Sequence, residues 1–379
     1  MAIMFLAVRV TLGIVLLMGG LASCCLEVGP DTINSSVGGN TAGGAGGQGS
    51  FPAAFSDTIL AGNGVPGHSD GPGATAAFYS LAGIAIDASG NLYVADSFNN
   101  AIRRVDPNGN VSTAISDGPY GRCGSGDVGK YENDGPFDVK VDAAGNLYEA
   151  LQGCVRKLDP RGVVTTVAGN GVVGFMDGTG GPSGTAEFNL TGIALDPAGN
   201  IFVADFLNAR IRKIAPDGTV TTVAGNGVPG FVDGPVKSAE FDQPSSLVVD
   251  AAGDIYVAER GNNRVRKVDP EGNVTTVAGN GLQGYQDGTG GPAGTAELNQ
   301  PGGVALDAAG NLLVADSGNG RIRRIDSDGN VTTVAGNGPA QTSGEPPNVE
   351  FYLPRGIAVD ASEDIYVACA FDIHKLTPK

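Results

Sequence analysis

The sequence predicts an all-β fold made of six copies of one four-stranded unit, and three observations carry that expectation. The first is self-similarity. The phrase GIALDPAGNIFVADFLNARIRKIAPDGTVTTVAG, Gly192 to Gly225, recurs from Gly83, Ser246, Gly303 and Gly356, with a worn copy from Phe137. These six starts are separated by 54, 55, 54, 57 and 53 residues, and a near-constant period of that size marks a repeat architecture. The second is the pattern inside each copy. Four short runs rich in Val, Ile, Thr and Tyr (GIALD, NIFVAD, RIRKI and TVTTVA in the copy at 192) are separated by DPAGN and APDGT. In those turns Asp or Pro opens and Gly supplies a positive φ. The third lies at the ends. The sixth copy stops at Lys379 after its third run, DIHKL, whereas SDTILAGNG, Ser56 to Gly64, is a fourth run with no unit before it. Pairing that N-terminal run with the last unit closes the ring and removes two exposed edges. The expected architecture is therefore a six-bladed β-propeller of four-stranded blades over residues 56–379, closed by an N-terminal strand added to the last blade.

The recurring phrases, with VTTVAGNG at 220–227, GTAEFN at 184–189 and RIRKI at 210–214, resemble NHL repeats in their bacterial form. The resemblance covers 56–379. It implies the propeller fold and says little about activity, because propellers carry many unrelated functions.

GNGVPG, Gly225 to Gly230, matches the G-x-G-x-x-G of dinucleotide-binding loops. That fingerprint requires a strand before it and a helix after it. Here the glycine phrase begins at Gly62, Gly169, Gly225 and Gly279, each time after a fourth strand and before DG and a loop. It belongs to the repeat, and its glycines let the chain turn sharply on leaving a blade. No nucleotide partner is expected.

The first 23 residues differ from the rest. Val10 to Leu21 is apolar, and Arg9 is the only charge before Glu27. The run is too short and too glycine-interrupted to span a membrane and suits the core of an export signal. Leu21-Ala22-Ser23-Cys24 resembles the lipobox of bacterial lipoproteins, which implies cleavage and acylation at Cys24. Cys25, rather than Asp, follows the acylated position, which by resemblance implies sorting to the outer membrane. Residues 24–55 contain NSSVGGNTAGGAGGQGS and form a flexible Gly/Ser-rich tether. The organisation expected is signal peptide 1–23, tether 24–55 and propeller 56–379, lipid-anchored in a bacterial cell envelope, with secretion as the alternative. With Lys+Arg 23 against Asp+Glu 40, the net charge is −17. Such a surface lacks the basic footprint that nucleic acid requires.

Strand direction sorts the loops. The short one-to-two and three-to-four turns fall on the lower face. The two-to-three loops and the blade-to-blade connections, about 20 residues long, fall on the upper face, and connections of that length commonly carry function or cover something. Two upper-face patterns stand out. Asp96 with Asn99, Asp205 with Asn208 and Arg210, Glu259 with Asn262 and Arg264, and Asp316 with Asn319 and Arg321 share one spacing. They read as a turn lock in which the carboxylate accepts from backbone N–H groups and the arginine. Asp177 with Glu187, Asp233 with Glu240, and Asp287 with Glu297 lie on the long connections and are candidate calcium ligands. Each Glu sits in TAEF, SAEF or TAEL, read as a single helical turn with Phe188, Phe241 or Leu298 packing inward.

The catalytic inventory is thin. Histidine occurs only at 68 and 374, and His374 aligns with Arg103, Arg212 and Arg266 in strand three, away from the channel. Blades two and six each lose two residues in the two-to-three loop, and the lock acid becomes Leu151 or Cys369. Cys123 and Cys154, both near the upper rim of blade two, are a candidate disulfide; Cys369 has no evident partner. The expected function is a binding or scaffold module for a protein, peptide or glycan at the upper face, with no resident cofactor and calcium as the one candidate ion. The rival is a metal-dependent propeller hydrolase or lyase of the gluconolactonase or streptogramin-lyase type.

Overall fold

The computed structural model describes residues 54–116, 123, 135–181, 183–337 and 350–379. The leader, Cys24, Cys25 and nearly all of the tether lie outside them. The described chain forms six antiparallel sheets whose first strands stand side by side around a channel. The third blade shows the unit: Gly192–Leu195, Ile201–Asp205, Arg210–Ile214 and Thr219–Ala224 pair in sequence order. The sixth blade takes three strands from the C-terminus, Gly356–Val359, Ile365–Ala368 and Ile373–Pro378. Its fourth is Phe55–Ala61, paired antiparallel to the last of them. Closure thus follows the sequence reading. In the worn second blade the first strand begins at Asp138 rather than Phe137.

Local chemistry explains the regularity. In the one-to-two turn of the third blade, Asp196 accepts from the backbone N–H of Asn200 at 2.8 Å and from its side-chain amide at 2.6 Å, an Asx turn that fixes the hairpin. Strand one of the third blade opens on glycine because neighbouring inner strands crowd there. A Cβ on Gly192 would stand 2.6 Å from the carbonyl oxygen of Ser245 in the next blade. Side chains then alternate, and the apolar faces of adjacent blades pack against each other. Leu92 and Val94 of blade one meet Tyr366 and Ala368 of blade six, and Ala204 of blade three meets Val257 of blade four. The core is therefore a set of layers between blades, not a single central mass.

The long connections cover edges. Gly178–Thr179 pairs with Thr219 and Val220 on the outer strand of blade three, and Gly234–Pro235 pairs with Asn273 and Val274 on blade four. Single bridges Gly71↔Val111 and Gly288↔Val331 do the same in blades one and five. Each connection thereby shields the outer strand of the blade it leads into, the edge that invites aggregation. The expected helical turn at SAEF is displaced: a turn closes at Ala239, hydrogen-bonded to Pro235, and Glu240 with Phe241 already lies in extended bridges. Phe188, Phe241 and Leu298 are buried as expected.

The glycine phrase has a steric cause. Gly225 has φ +101°, and a Cβ on it would lie 2.5 Å from the carbonyl oxygen of Ala209. The end of strand four crosses the start of strand three at a bulge between Ile211 and Arg212. Both the left-handed backbone and the close approach require glycine.

Candidate functional site

Four blades carry a buried arginine hub, which the expected turn lock captured only in part. Asp205 accepts from the backbone N–H of Asn189 at 2.7 Å and from Asn208 at 2.7 Å. Its guanidinium partner is Arg212 at 2.8 Å, not Arg210. The same pairing joins Arg103 to Asp96, Arg266 to Glu259 and Arg323 to Asp316. The correction has a simple cause. Arg210, Arg264 and Arg321 sit at the rim, where each donates to two backbone carbonyls and the rings of Phe175, Phe231 and Tyr285 stack beneath them. The arginine two residues further along is sealed from water together with the acid. Asn99, Asn208, Asn262 and Asn319 each bridge the acid to a carbonyl of the long connection: Gly67, Gly174, Gly230 and Gly284.

The loop aspartates belong to the same hubs. Asp177 lies 2.7 Å from Arg212, Asp233 2.6 Å from Arg266 and Asp287 2.8 Å from Arg323. Each also accepts from Thr222, Thr276 or Thr333 on strand four. Asp70 fills this role in blade one with Arg103 at 2.6 Å, a residue the sequence reading passed over although its SDG matches the DG of its sisters. The glutamates go elsewhere. Bridges pair Met176 with Glu187 and Val232 with Glu240, so the adjacent aspartate leaves on the opposite face. Glu187, Glu240 and Glu297 instead lie over Gly174, Gly230 and Gly284. The structure therefore does not bring the six loop acids together as pairs.

The degenerate blades replace the hub by other means. In blade two, Leu151 stands at the lock position, and Glu149 supplies the carboxylate, cross-strand from Arg156 at 2.5 Å. Cys123 and Cys154 are joined by a disulfide with Cα atoms 5.7 Å apart. In blade six, Cys369 stands at the lock position and His374 replaces the arginine, with Nδ1 3.0 Å from Asp57 of the closing strand and Nε2 3.4 Å from Asp372. Among the described residues, Cys369, Asp372 and His374 form the one group of three metal-type donors within 4.8 Å. Both imidazole nitrogens already face carboxylates, so the group serves first as a stand-in for the arginine hub. Burial lowers the affinity of His374 for a proton, but Asp372 and Asp57 outweigh it and carry the pKa from 6.5 up to about 9. A raised pKa stabilises the fold fully below pH 6.5, and that contribution fades as pH rises through about 9. The expected outcome is an alkaline loss of melting temperature between pH 7 and 9.5 that is abolished in His374→Arg, checked by thermal melting across pH. An unchanged slope in the variant sinks this assignment.

The channel bears on the choice between binding and catalysis, because a metal-dependent hydrolase or lyase needs convergent donor side chains at its mouth. Its strand-one segments are Gly, Ala, Val, Ile, Leu, Ser and Pro, apart from Asp138 and Lys140 of blade two. Asp138 is held by Lys140 at 2.7 Å and by the backbone N–H of Ile193 at 3.0 Å, stitching blade two to blade three. His68 is exposed on a loop and His374 lies within blade six. No convergent set of carboxylate, Asn or His donors is present on these strands.

The upper rim is different. Tyr79 and Phe98 of blade one meet Tyr352 and Phe371 of blade six. Tyr79 contacts Phe98 edge-on at 4.9 Å, Tyr352 stacks on Phe371 at 5.8 Å, and Tyr79 lies 6.4 Å from Phe371. Tyr79, Phe98 and Tyr352 are 41–45% exposed. Beside them Arg355 donates to Ser80 Oγ at 3.1 Å, and Arg260 of blade four donates to Gln300 Oε1 at 3.4 Å. Burial, and then the charge of Arg260, lower Arg355 to about 10.

Comparison with known proteins places this geometry. Residues 241–268 and 298–325 match the NHL repeat. The chain is 30% identical over 285 residues to Protein SUPPRESSOR OF QUENCHING 1, chloroplastic, of Arabidopsis thaliana, covering 70% of this chain and 26% of that protein. It is 29% identical over 311 residues to NHL repeat-containing protein 2 of Homo sapiens, covering 71% of this chain and 42% of that protein. The chain thus spans less than half the length of these curated relatives. A solved auxiliary nutrient binding protein from Bacteroides ovatus superposes with a TM-score of 0.62 at 18% identity, over 86% of this chain and 77% of that one, a likeness of fold. With repeats matched in sequence and six four-stranded blades in a ring, the chain is an NHL-repeat protein folded as a six-bladed β-propeller.

Proposed function

We propose that this chain is a lipid-anchored binding module of a bacterial cell envelope, whose propeller takes a protein, peptide or glycan on its upper face. The observation that carries the binding reading is the cluster of Tyr79, Phe98, Tyr352 and Phe371 at the seam of blades six and one. Contiguous exposed rings of this kind mark interaction surfaces, where aromatic residues are enriched. The seam is also where the ring closes, so the platform rests on a rigid ladder. A solved propeller of like fold is described as a nutrient binding protein, which agrees with a binding role. The hydrolase or lyase reading has less support, since the strand-one segments offer one acid and that acid is paired with Lys140. Anchoring rests on Leu21-Ala22-Ser23-Cys24.

The test uses the full chain purified in detergent and probed on glycan and peptide arrays. Wild-type protein is expected to retain a discrete set of ligands, and Tyr79→Ala/Tyr352→Ala to bind them roughly tenfold more weakly or worse, as for loss of an aromatic hot spot. Unchanged binding by the variant rejects the upper-rim site. For the anchor, labelled palmitate is expected on the wild-type chain and not on Cys24→Ala; an unlabelled wild-type chain rejects it.

A further inference from the structure

Two arginines at the mouth of the channel depart from the blade repeat. Arg355 occupies the repeat position that is Ala82, Ser245 and Gly302 in blades one, four and five. Arg260 follows the lock acid, where the sisters carry the uncharged Ser97, Phe206, Ser317 and Ala370. Both converge on the entrance of blade five. Arg260 reaches Gln300, and the backbone of Arg355 lies against Gly302 and Gly303. Pro301-Gly302-Gly303 places no side chain beyond a proline ring between them.

Their surroundings are unlike those of the buried arginines. Arg103, Arg156, Arg212, Arg266 and Arg323 each face at least one carboxylate within 3.0 Å. Among the described residues, neither Arg260 nor Arg355 has a carboxylate partner, and each donates to one neutral oxygen. A guanidinium carries five N–H donors, and in these two half-buried arginines the remaining donors face solvent at the channel mouth, open to a ligand. The two cations also repel each other. An arrangement that lowers the stability of the empty protein, at the rim of an aromatic platform, is explained if an anion completes it. The net charge of −17 makes such a cation pair the more selective, because the rest of the surface repels anions.

We propose that Arg260 and Arg355 form an oxoanion subsite that takes the carboxylate or phosphate group of the ligand seated on the upper face; this deepens, and rests on, the reading of that face as the binding face. Carboxylate and phosphate share the pair of acceptor oxygens that matches a guanidinium fork. The rings of Tyr79 and Tyr352 then receive the body of the ligand, while the anion enters the channel mouth.

The experiment is thermal melting of the full chain in detergent at fixed ionic strength, titrated with inorganic phosphate, glucuronate or glucose. Wild-type protein is expected to gain melting temperature with one or both anions and none with glucose. The anion with the lower apparent Kd identifies the group. Arg260→Gln and Arg355→Gln are expected to melt no lower than wild type without anion, because a repulsion is relieved, and to bind the anion at least roughly tenfold more weakly, about the loss of a charge-assisted pair. Arg161→Gln, at an arginine 84% exposed and paired with Asp159, keeps the full response. A wild-type chain that responds to neither anion overturns the proposal. So do variants that keep the response, and so do variants destabilised without anion, which would make the arginines structural. Arg355→Lys, which keeps the charge and loses the fork, is expected to fold and to respond weakly. Tyr79→Ala/Tyr352→Ala is expected to retain the response to inorganic phosphate, so the platform and the anion subsite can fail separately.

Discussion

Removing residues 26–62 is expected to abolish cooperative folding, whereas removing residues 26–53 leaves the melting temperature nearly unchanged. The longer deletion takes away the strand Phe55–Ala61 and with it the ladder to Ile373–Pro378. It also takes Phe55, 2% exposed and packed with Ile365, Val367 and Leu376. A buried phenylalanine contributes about 1.5–3 kcal/mol. Asp57 leaves as well, so His374 keeps only Asp372 of its two carboxylate partners. The lost ladder, packing and ion pair together approach the whole stability of an ordinary domain, about 5–15 kcal/mol, and they leave Ile373–Pro378 as an unpaired edge. The shorter deletion removes Gly/Ser-rich chain with little apolar surface to bury. Circular dichroism melting of the two chains decides the matter. Equal melting temperatures would show that the closing strand contributes nothing.

A second large effect is expected at the arginine hub. Arg212→Leu leaves Asp205 buried beside no cation and should destabilise by about 3–5 kcal/mol, read from urea unfolding. Asp177→Asn should cost less than about 1 kcal/mol, since Asp177 is 45% exposed on its side chain and its pair is screened. Arg212→Leu/Asp205→Leu should recover part of the loss, because no unpaired charge remains. A double variant no better than the single would mean that the hub acts through packing against Phe188 rather than through charge.

The fold was legible because the repeat states the same strand and turn chemistry in copy after copy, and because the unmatched first and last runs announce a shared blade. The hub was half legible. The acid and Asn lie three residues apart on one loop, so their relation shows in the spacing. Arg103 and Asp70 reach Asp96 and Arg103 across strands and from a connection, and local spacing carries no trace of that. The available signal was the third residue of strand three, arginine in every blade but the sixth. The compensation in blade two was also visible, since Glu149 replaces the valine of NLYVAD where Leu151 loses the acid. The channel-mouth arginines escaped for another reason: the upper-face reading followed what the copies share, and a ligand site in a repeat protein lies where one copy departs from the others. Arg260, Arg355, Tyr79 and Tyr352 are such departures.

The closing strand makes the ring's last seam a contact between the two ends of the chain. Ser56 bonds to Thr377 across 321 residues of sequence, and contacts of such separation form late because the loop-closure entropy must be met first. During synthesis, Phe55–Ala61, the fourth strand of the sixth blade, is complete before its neighbours exist. It must wait for Ile373–Pro378. Until they arrive, the growing body exposes the side of blade one that faces the gap and the row of backbone donors and acceptors on Phe55–Ala61. A chain that stops short of Ile373, or is nicked at its last strand, is therefore left with an open and adhesive edge, and the aromatic platform, whose four rings straddle that same seam, never assembles.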